Sequence, residues 1–321
     1  MTILITGSPG WLGTRFAEMY KGDKRCLVLP NVNADYLKSL GTEIVRGDVT
    51  KPETLKGITE DVDTVFHCAG IIHPRMLHID DLFNVNAEGT SNLLHEAIKT
   101  KTKFIYISSN SVAGVSSGLM NEYTPRKPYM KYGDSKFLAE ELINRFHIES
   151  DMETVILRPC WYYGPRQPKR QSKLINMVKN GKALLFGDGR NLRSMTYIDN
   201  LCDAMILAEK SKKANGETYW IADERPYTMF EIYSTIAEIL GVKLGFRKLP
   251  KVLCKFGEVL DRFLQNQVEI YQKEIHVLGE MDKNIACSIE KAKKDLNYKP
   301  KIELKEGMRR SIEWMREEKL I

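Results

Sequence analysis

A short apolar and β-branched run, Thr2 to Thr6, opens this chain, and Gly7, Gly10 and Gly13 follow it at once. The run reads as a buried strand, and Trp11 to Tyr20 can continue as a helix. Glycines allow a tight turn and a close backbone approach, while a helix N-terminus presents free N–H groups to an anion. The feature therefore predicts a phosphate cradle between a strand and a helix. Its spacing is G-x-x-G-x-x-G, a variant of the more familiar G-x-G-x-x-G. Strand and helix patterns go on alternating as far as Leu157, which predicts a doubly wound parallel sheet with helices on both faces. After Arg158 and Pro159 the rhythm breaks into loops and helices.

A dinucleotide fold often ends its second strand with an acid for the adenosine ribose, or with an arginine for a 2′-phosphate. Here the second strand, Cys26 to Leu29, runs into Pro30, Asn31, Val32 and Asn33, with neither type present. The sequence thus leaves NAD and NADP both open, with NAD favoured. Asp48, in Gly47-Asp48-Val49, can accept a hydrogen bond from an adenine amino group or simply cap the turn before Lys51 and Pro52. The fourth strand ends in His67-Cys68-Ala69-Gly70.

Tyr132 and Lys136 stand four apart in a segment that reads as helical through Arg145, so they share one face. A free tyrosine, with a pKa of about 10, is a poor base at neutral pH. A neighbouring ammonium favours the phenolate and lowers that value. Ser109, at the end of the predicted strand Phe104 to Ile107, can hydrogen-bond a substrate oxygen and fix its distance to Tyr132. Serine, tyrosine and lysine behind a dinucleotide cradle point to hydride transfer at an alcohol carbon.

With these residues the chain resembles the extended short-chain dehydrogenase/reductases, which include nucleotide-sugar epimerases, dehydratases and 3β-hydroxysteroid dehydrogenase-like enzymes. The resemblance rests on TGSPGWLG, GDV, HCAG, NVNAEGT, YISSNSVAG, YGDSK, LRPCWYYGP and GDGRNLRSMTYIDN, and covers nearly the whole chain. It implies Tyr132 as acid/base, Lys136 as its activator and Ser109 as their partner. It implies a cofactor surface of Gly7, Ser8, Gly10, Trp11, Leu12, Gly13, Asp48, Val49, Ala69, Gly70, Asn86, Tyr132, Lys136 and Pro159. Asn86 would support the active-site loop. The family architecture further implies an NAD(P)-binding Rossmann domain over 1–160 with a return segment at about 194–222, including strands near 194–198 and 218–221 that rejoin the sheet. A mainly helical substrate lobe would come from 161–193 and 223–321. A homodimer through the helices containing 92–98 and 132–145 is the expected assembly.

The substrate side is expected at Ser109, Asn110, Trp161, Arg166 and Arg193. Arg193 stands near the position from which the family's sugar enzymes grip a diphosphate, and guanidinium forks suit phosphate oxygens. Arg166, Lys169, Arg170 and Arg190 add positive charge in the same lobe, Lys169 and Arg170 reading as solvated bases. These features favour a nucleotide-diphosphate-sugar epimerase. Against it, Trp161 fills the place where sugar enzymes carry an asparagine, and Trp161, Tyr162 and Tyr163 suit an apolar or ring-shaped substrate. The alternative is therefore a 3β-hydroxysteroid- or β-hydroxy/keto-acid-type dehydrogenase or reductase. A dehydratase would place an Asp-Glu pair after the catalytic hydroxyl, where Asn110 and Ser111 stand instead. A catalytically silent nucleotide sensor or scaffold is the reading outside enzymes.

At 321 residues and 43% hydrophobic, the chain can bury a large core, and its +6 charge is interspersed rather than striped, which argues against nucleic acid as partner. The six cysteines show no metal spacing and read as reduced cytoplasmic thiols, with no transmembrane segment. Pro250 to Leu264 is amphipathic, with Lys251, Lys255, Asp261 and Arg262, and is expected to pack on the protein or a partner, with a peripheral membrane contact as the alternative.

Overall fold

The computed structural model describes residues 1–72, 78–115 and 118–321; the side chain of Arg170 lies outside the described residues. Seven parallel strands form one sheet in the order Glu217–Ile221, Thr154–Pro159, Lys103–Ile107, Thr64–His67, Thr2–Thr6, Asp23–Val28, Glu43–Arg46. From Thr2–Thr6 the chain winds outward through the next two strands. It then crosses back to Thr64–His67 on the other side and continues that way. The order reverses between Thr2–Thr6 and Thr64–His67, the switch point at whose carboxyl strand ends such sheets bind their ligands.

Both faces of the sheet are covered, as a parallel sheet requires. Successive side chains on a strand point to opposite faces. Ile3 and Ile5 accordingly join Phe16, Ala17, Leu201 and Met205 from the helices Trp11–Met19 and Ile198–Lys210. Leu4 joins Leu93, Leu94, Ala97, Ala139 and Ile143 from Gly89–Thr100 and Met130–Ser150. Each fully buried aliphatic side chain stabilises the fold by about 1.5–3 kcal/mol.

A separate core of Tyr163, Ile175, Val178, Ile232, Ile236, Met308 and Ile312 underlies a smaller lobe. Its helices include Lys169–Lys179, Met229–Leu240 and Leu304–Glu317. Glu217–Ile221 joins the main sheet beside Thr154–Pro159. The other expected return strand does not: Met195–Tyr197 pairs in parallel with Trp161–Tyr163, outside the seven-stranded sheet. Both are three-residue strands, one where the chain leaves the main sheet and one where it leads back to it, and they pair with one another while Glu217–Ile221 takes the sheet edge.

Candidate active site

The cradle is crowded. Gly7 has φ +78°, a conformation glycine adopts without strain, and a Cβ there would lie 2.6 Å from the Ala69 nitrogen. A Cβ on Gly10 would lie 2.5 Å from the Gly7 oxygen, and one on Gly13 2.7 Å from Ser8 Oγ. Gly10 N–H donates to the Gly7 carbonyl, and no side chain caps the helix that begins at Trp11. This is the form a dinucleotide pyrophosphate needs: backbone pressed close, with helix amides left for the ligand. Leu12 is buried in the core behind the turn. Trp11 ties the turn to the lobe, since its Nε1 donates to the Pro165 carbonyl at 2.7 Å and its ring packs on Tyr162.

Asp48 Oδ1 accepts from both the amide and the hydroxyl of Thr50, which closes a local turn, while the short helix Pro52–Thr54 that follows has no side-chain cap. Val49 is buried against Gly89, and its carbonyl accepts from Asn92. Asn86 is fully buried in a π-helical turn, Asn84–Glu88, a widening that recurs at functional sites. Its Oδ1 accepts from the Ile71 amide, and its Nδ2 donates to the Ile71 carbonyl and to Ser135 Oγ. A Cβ on Gly70 would lie 3.1 Å from Asn86 Oδ1 and 3.8 Å from Lys136 Nζ, so Gly70, Asn86 and Lys136 converge.

Lys136 is buried on the helix Met130–Ser150. Its Nζ donates to the Ile107 carbonyl at 2.8 Å and lies 4.1 Å from the centre of the Tyr106 ring. Burial pushes its pKa down to about 7, against the pull of Glu140 and Cys68 in the other direction. Tyr132 sits half-buried one helical turn earlier, its carbonyl accepting from Ser135 Oγ. Ser109 caps the short turn Asn110–Val112, its Oγ bonded to the amide and hydroxyl of Ser111. That turn is pressed onto the start of the tyrosine helix. Tyr129 N–H donates to the Ser111 carbonyl, and a Cβ on Gly133 would lie 2.7 Å from the same oxygen.

Two supporting sets escaped the sequence reading. The first is a directed chain from loop to helix. Ala69 N–H donates to Thr6 Oγ1, which bonds His67 Nδ1; His67 Nε2 bonds Thr90 Oγ1, which donates to the Asn86 carbonyl. Because Thr90 donates onward, His67 carries its proton on Nε2. Burial, reinforced by Lys136, pushes His67 down to about 3, so it stays neutral. The second is the buried pair of Arg158 with Glu140, bidentate at 2.9 and 2.6 Å, with Ser108 donating to the same carboxylate. Glu140 is four residues beyond Lys136, a spacing visible in the sequence. The partners of His67 are remote in the chain and carry no local signal.

The remaining expected residues separate. Pro159 ends its strand against Ile221. Asn110 turns its carbonyl to the amides of Ala113 and Gly114. Trp161 is half-buried against the core of the lobe. Arg166 pairs with Glu18 and stacks on Tyr36, 4.7 Å from the ring centre, which sets its side chain against the helices Trp11–Met19 and Asp35–Ser39 instead of among the other lobe cations. Arg193 is buried in the lobe and donates through Nη2 to the Glu280 carbonyl, while its Nε has no hydrogen-bond partner among the described residues. No cluster of metal-ligating side chains occurs among the described residues.

A parallel sheet with a glycine cradle at its switch point, facing a tyrosine–lysine helix, defines a dinucleotide-dependent class of enzyme. The profile of the NAD dependent epimerase/dehydratase family matches residues 3–222, and the chain belongs to that family. It is 30% identical to the 2-alkyl-3-oxoalkanoate reductase of Shewanella oneidensis, over 95% of this chain and 84% of the relative. It is 27% identical to the N-acetyl-alpha-D-glucosaminyl-diphospho-ditrans,octacis-undecaprenol 4-epimerase of Escherichia coli O157:H7, over 79% and 77% of the two chains. Among solved structures, UDP-glucuronic acid 4-epimerase from Bacillus cereus in complex with NAD superposes with a TM-score of 0.79 at 25% identity, covering 99% of each chain.

Proposed function

We propose that the chain moves hydride to and from a secondary alcohol carbon, with Tyr132 as acid/base, Lys136 as its activator and Ser109 as the second contact to the substrate oxygen. The observation that carries this is the convergence of Gly70, Asn86, Lys136 and the Ser109 turn on the turn of helix that bears Tyr132. The Ser109 hydroxyl donates to the substrate oxygen and Tyr132 takes its proton. Lys136, held by Ile107 and Tyr106, stabilises the phenolate form of Tyr132 that accepts this proton from the substrate hydroxyl. Hydride acceptance is the chemistry NAD supplies when bound, with the cradle at Gly7, Ser8, Gly10, Trp11, Leu12 and Gly13, the pair Asp48 and Val49, and Ala69, Gly70, Asn86 and Pro159 lining its site.

The substrate in this proposal is a sugar carried on a nucleotide diphosphate, and the reaction is epimerisation through a transient ketone. Arg193 supports it, since a buried guanidinium with an unused N–H is a poor structural group and a good diphosphate ligand. The Bacillus cereus structure is named as an enzyme of that reaction. A second reading, reduction of an apolar ketone, is favoured by Trp161 and by the name of the Shewanella relative. The proposed assembly is a homodimer through the helices Gly89–Thr100 and Met130–Ser150, where Leu138 and Ile148 are exposed.

Tyr132→Phe should lose roughly a hundred- to ten-thousand-fold in turnover while retaining cofactor binding, read as protection from thermal unfolding by NAD. Normal turnover by the Phe variant would overturn the assignment. With the parent protein, interconversion of two sugar nucleotides without net NADH production is expected. NADH consumption with 3-oxoalkanoates and no action on sugar nucleotides would establish the second reading instead.

A further inference from the structure

The helix Val252–Gln267 is built inside out. The face it turns to the protein consists of Cys254, Gly257, Asp261 and Gln265, all buried. The face it turns outward carries Val252, Phe256, Val259 and Phe263, at the i, i+4, i+7, i+11 spacing of one stripe and between 55% and 66% exposed. Of the alternatives the sequence leaves for this amphipathic segment, its own chain, a partner or a membrane surface, packing of the apolar side on its own chain is the one the exposed stripe sets aside. The buried polar face has its own explanation. Asp261 bonds Gln265 Nε2 at 2.7 Å and His276 Nδ1 at 2.8 Å, and Gln265 Oε1 accepts the Lys131 amide. That network docks the helix beside the residue before Tyr132 and leaves the aromatic stripe exposed, with no partner among the described residues.

Charge decides what covers the stripe. From Lys243 to Arg262 the sequence has six bases, Lys243, Arg247, Lys248, Lys251, Lys255 and Arg262, against two acids. Both acids are engaged: Asp261 as above, and Glu258 with Lys283 and Arg262. Lys255 and Arg262 border the stripe along one edge. In a two-fold contact this patch would face itself, bringing the bases that border the stripe onto those of the second copy. An anionic lipid surface meets both features, since headgroups take the cations and the acyl boundary takes Phe256 and Phe263. No helix among the described residues is long and apolar enough to cross a membrane, so the contact is in the plane of the surface.

We propose that this helix is a membrane-contact element that seats the mouth of the active site on an anionic bilayer. The inference stands apart from the hydride-transfer reading, and Tyr132→Phe should bind membranes as the parent does. The test is co-sedimentation with vesicles of pure phosphatidylcholine and of equal parts phosphatidylcholine and phosphatidylglycerol. The parent should pellet with the anionic vesicles and not with the neutral ones. Lys255→Gln with Arg262→Gln should weaken binding about thirtyfold, at about fivefold per base. Phe256→Ser with Phe263→Ser should weaken it at least about tenfold. All four side chains are exposed, so circular dichroism should confirm that both variants stay folded. A parent that stays in the supernatant with every vesicle, or variants that bind as it does, would overturn the proposal. So would a parent that ignores vesicles and sediments as a dimer which the Phe256→Ser, Phe263→Ser variant dissociates, because the stripe would then belong to a second copy.

Discussion

Lys136 carries the sharpest consequence at the scale of a residue. Its ordinary pKa of 10.5 is pushed down to about 7 by burial. Between about pH 7 and about pH 10 the folded protein has released a proton that the unfolded chain keeps, so stability rises with pH across that window. Lys136→Met should abolish that rise in denaturant titrations without cofactor, and cut turnover roughly a hundredfold or more. A variant that kept the slope would assign it to another group. Tyr132 and Lys136 were legible in the sequence because four residues is one helical turn. Glu140 follows the same rule one turn later, but a lone glutamate on a helix gives no sign that Arg158 will meet it on a distant strand. Arg166 was misplaced for the opposite reason. Sequence showed a base in the lobe segment, while its partners Glu18 and Tyr36 come from the first helix and the short helix Asp35–Ser39 after the second strand.

At the scale of an element, the tyrosine helix is located by contact at its first turn. Gly133→Ala would force a Cβ into the Ser111 carbonyl, and backbone cannot yield as a flexible side chain does. The expected result is about 1–3 kcal/mol of lost stability and a fall in kcat larger than any change in cofactor affinity, since the Ser109 and Tyr132 turns are driven apart. The buried pair behind it is more sensitive. Glu140→Ala strands the Arg158 guanidinium, 4% exposed, and should cost about 3–5 kcal/mol in urea unfolding. The parallel sheet with helices on both faces was readable from alternating patterns, and the return strand Glu217–Ile221 joins it as expected. Three-residue strands such as Met195–Tyr197 contain too little pattern to say which partner they will choose. For the helix Val252–Gln267, amphipathicity was readable and its direction was not, because periodicity locates an apolar face without saying whether protein or solvent lies beneath it.

At the scale of the whole molecule, Asp223 joins the parts. It follows the returning strand and accepts from Tyr163 Oη, the Tyr197 amide and Asn200 Nδ2. Burial pushes its pKa up to about 7, against those hydrogen bonds. Between about pH 4 and about pH 7 the folded protein therefore holds a proton the unfolded chain has lost, and stability falls as pH rises through that window. Asp223→Asn should flatten this part of the profile, by at most roughly 1.4 kcal/mol per pH unit, in unfolding midpoints measured at about pH 5 and about pH 8. An unchanged slope would mean that the carboxyl is already ionised in the fold.

The chain leaves the sheet after Pro159, pairs Trp161–Tyr163 with Met195–Tyr197, returns as the edge strand Glu217–Ile221 and then leaves again. Its two lobes are thus sewn together by several passes of backbone rather than joined by one linker. A single protease nick after Arg190, at an exposed turn, would leave two fragments, each holding strands that the other needs. Neither could diffuse away, and the cut protein should run as one species on a sizing column and as two only in denaturant.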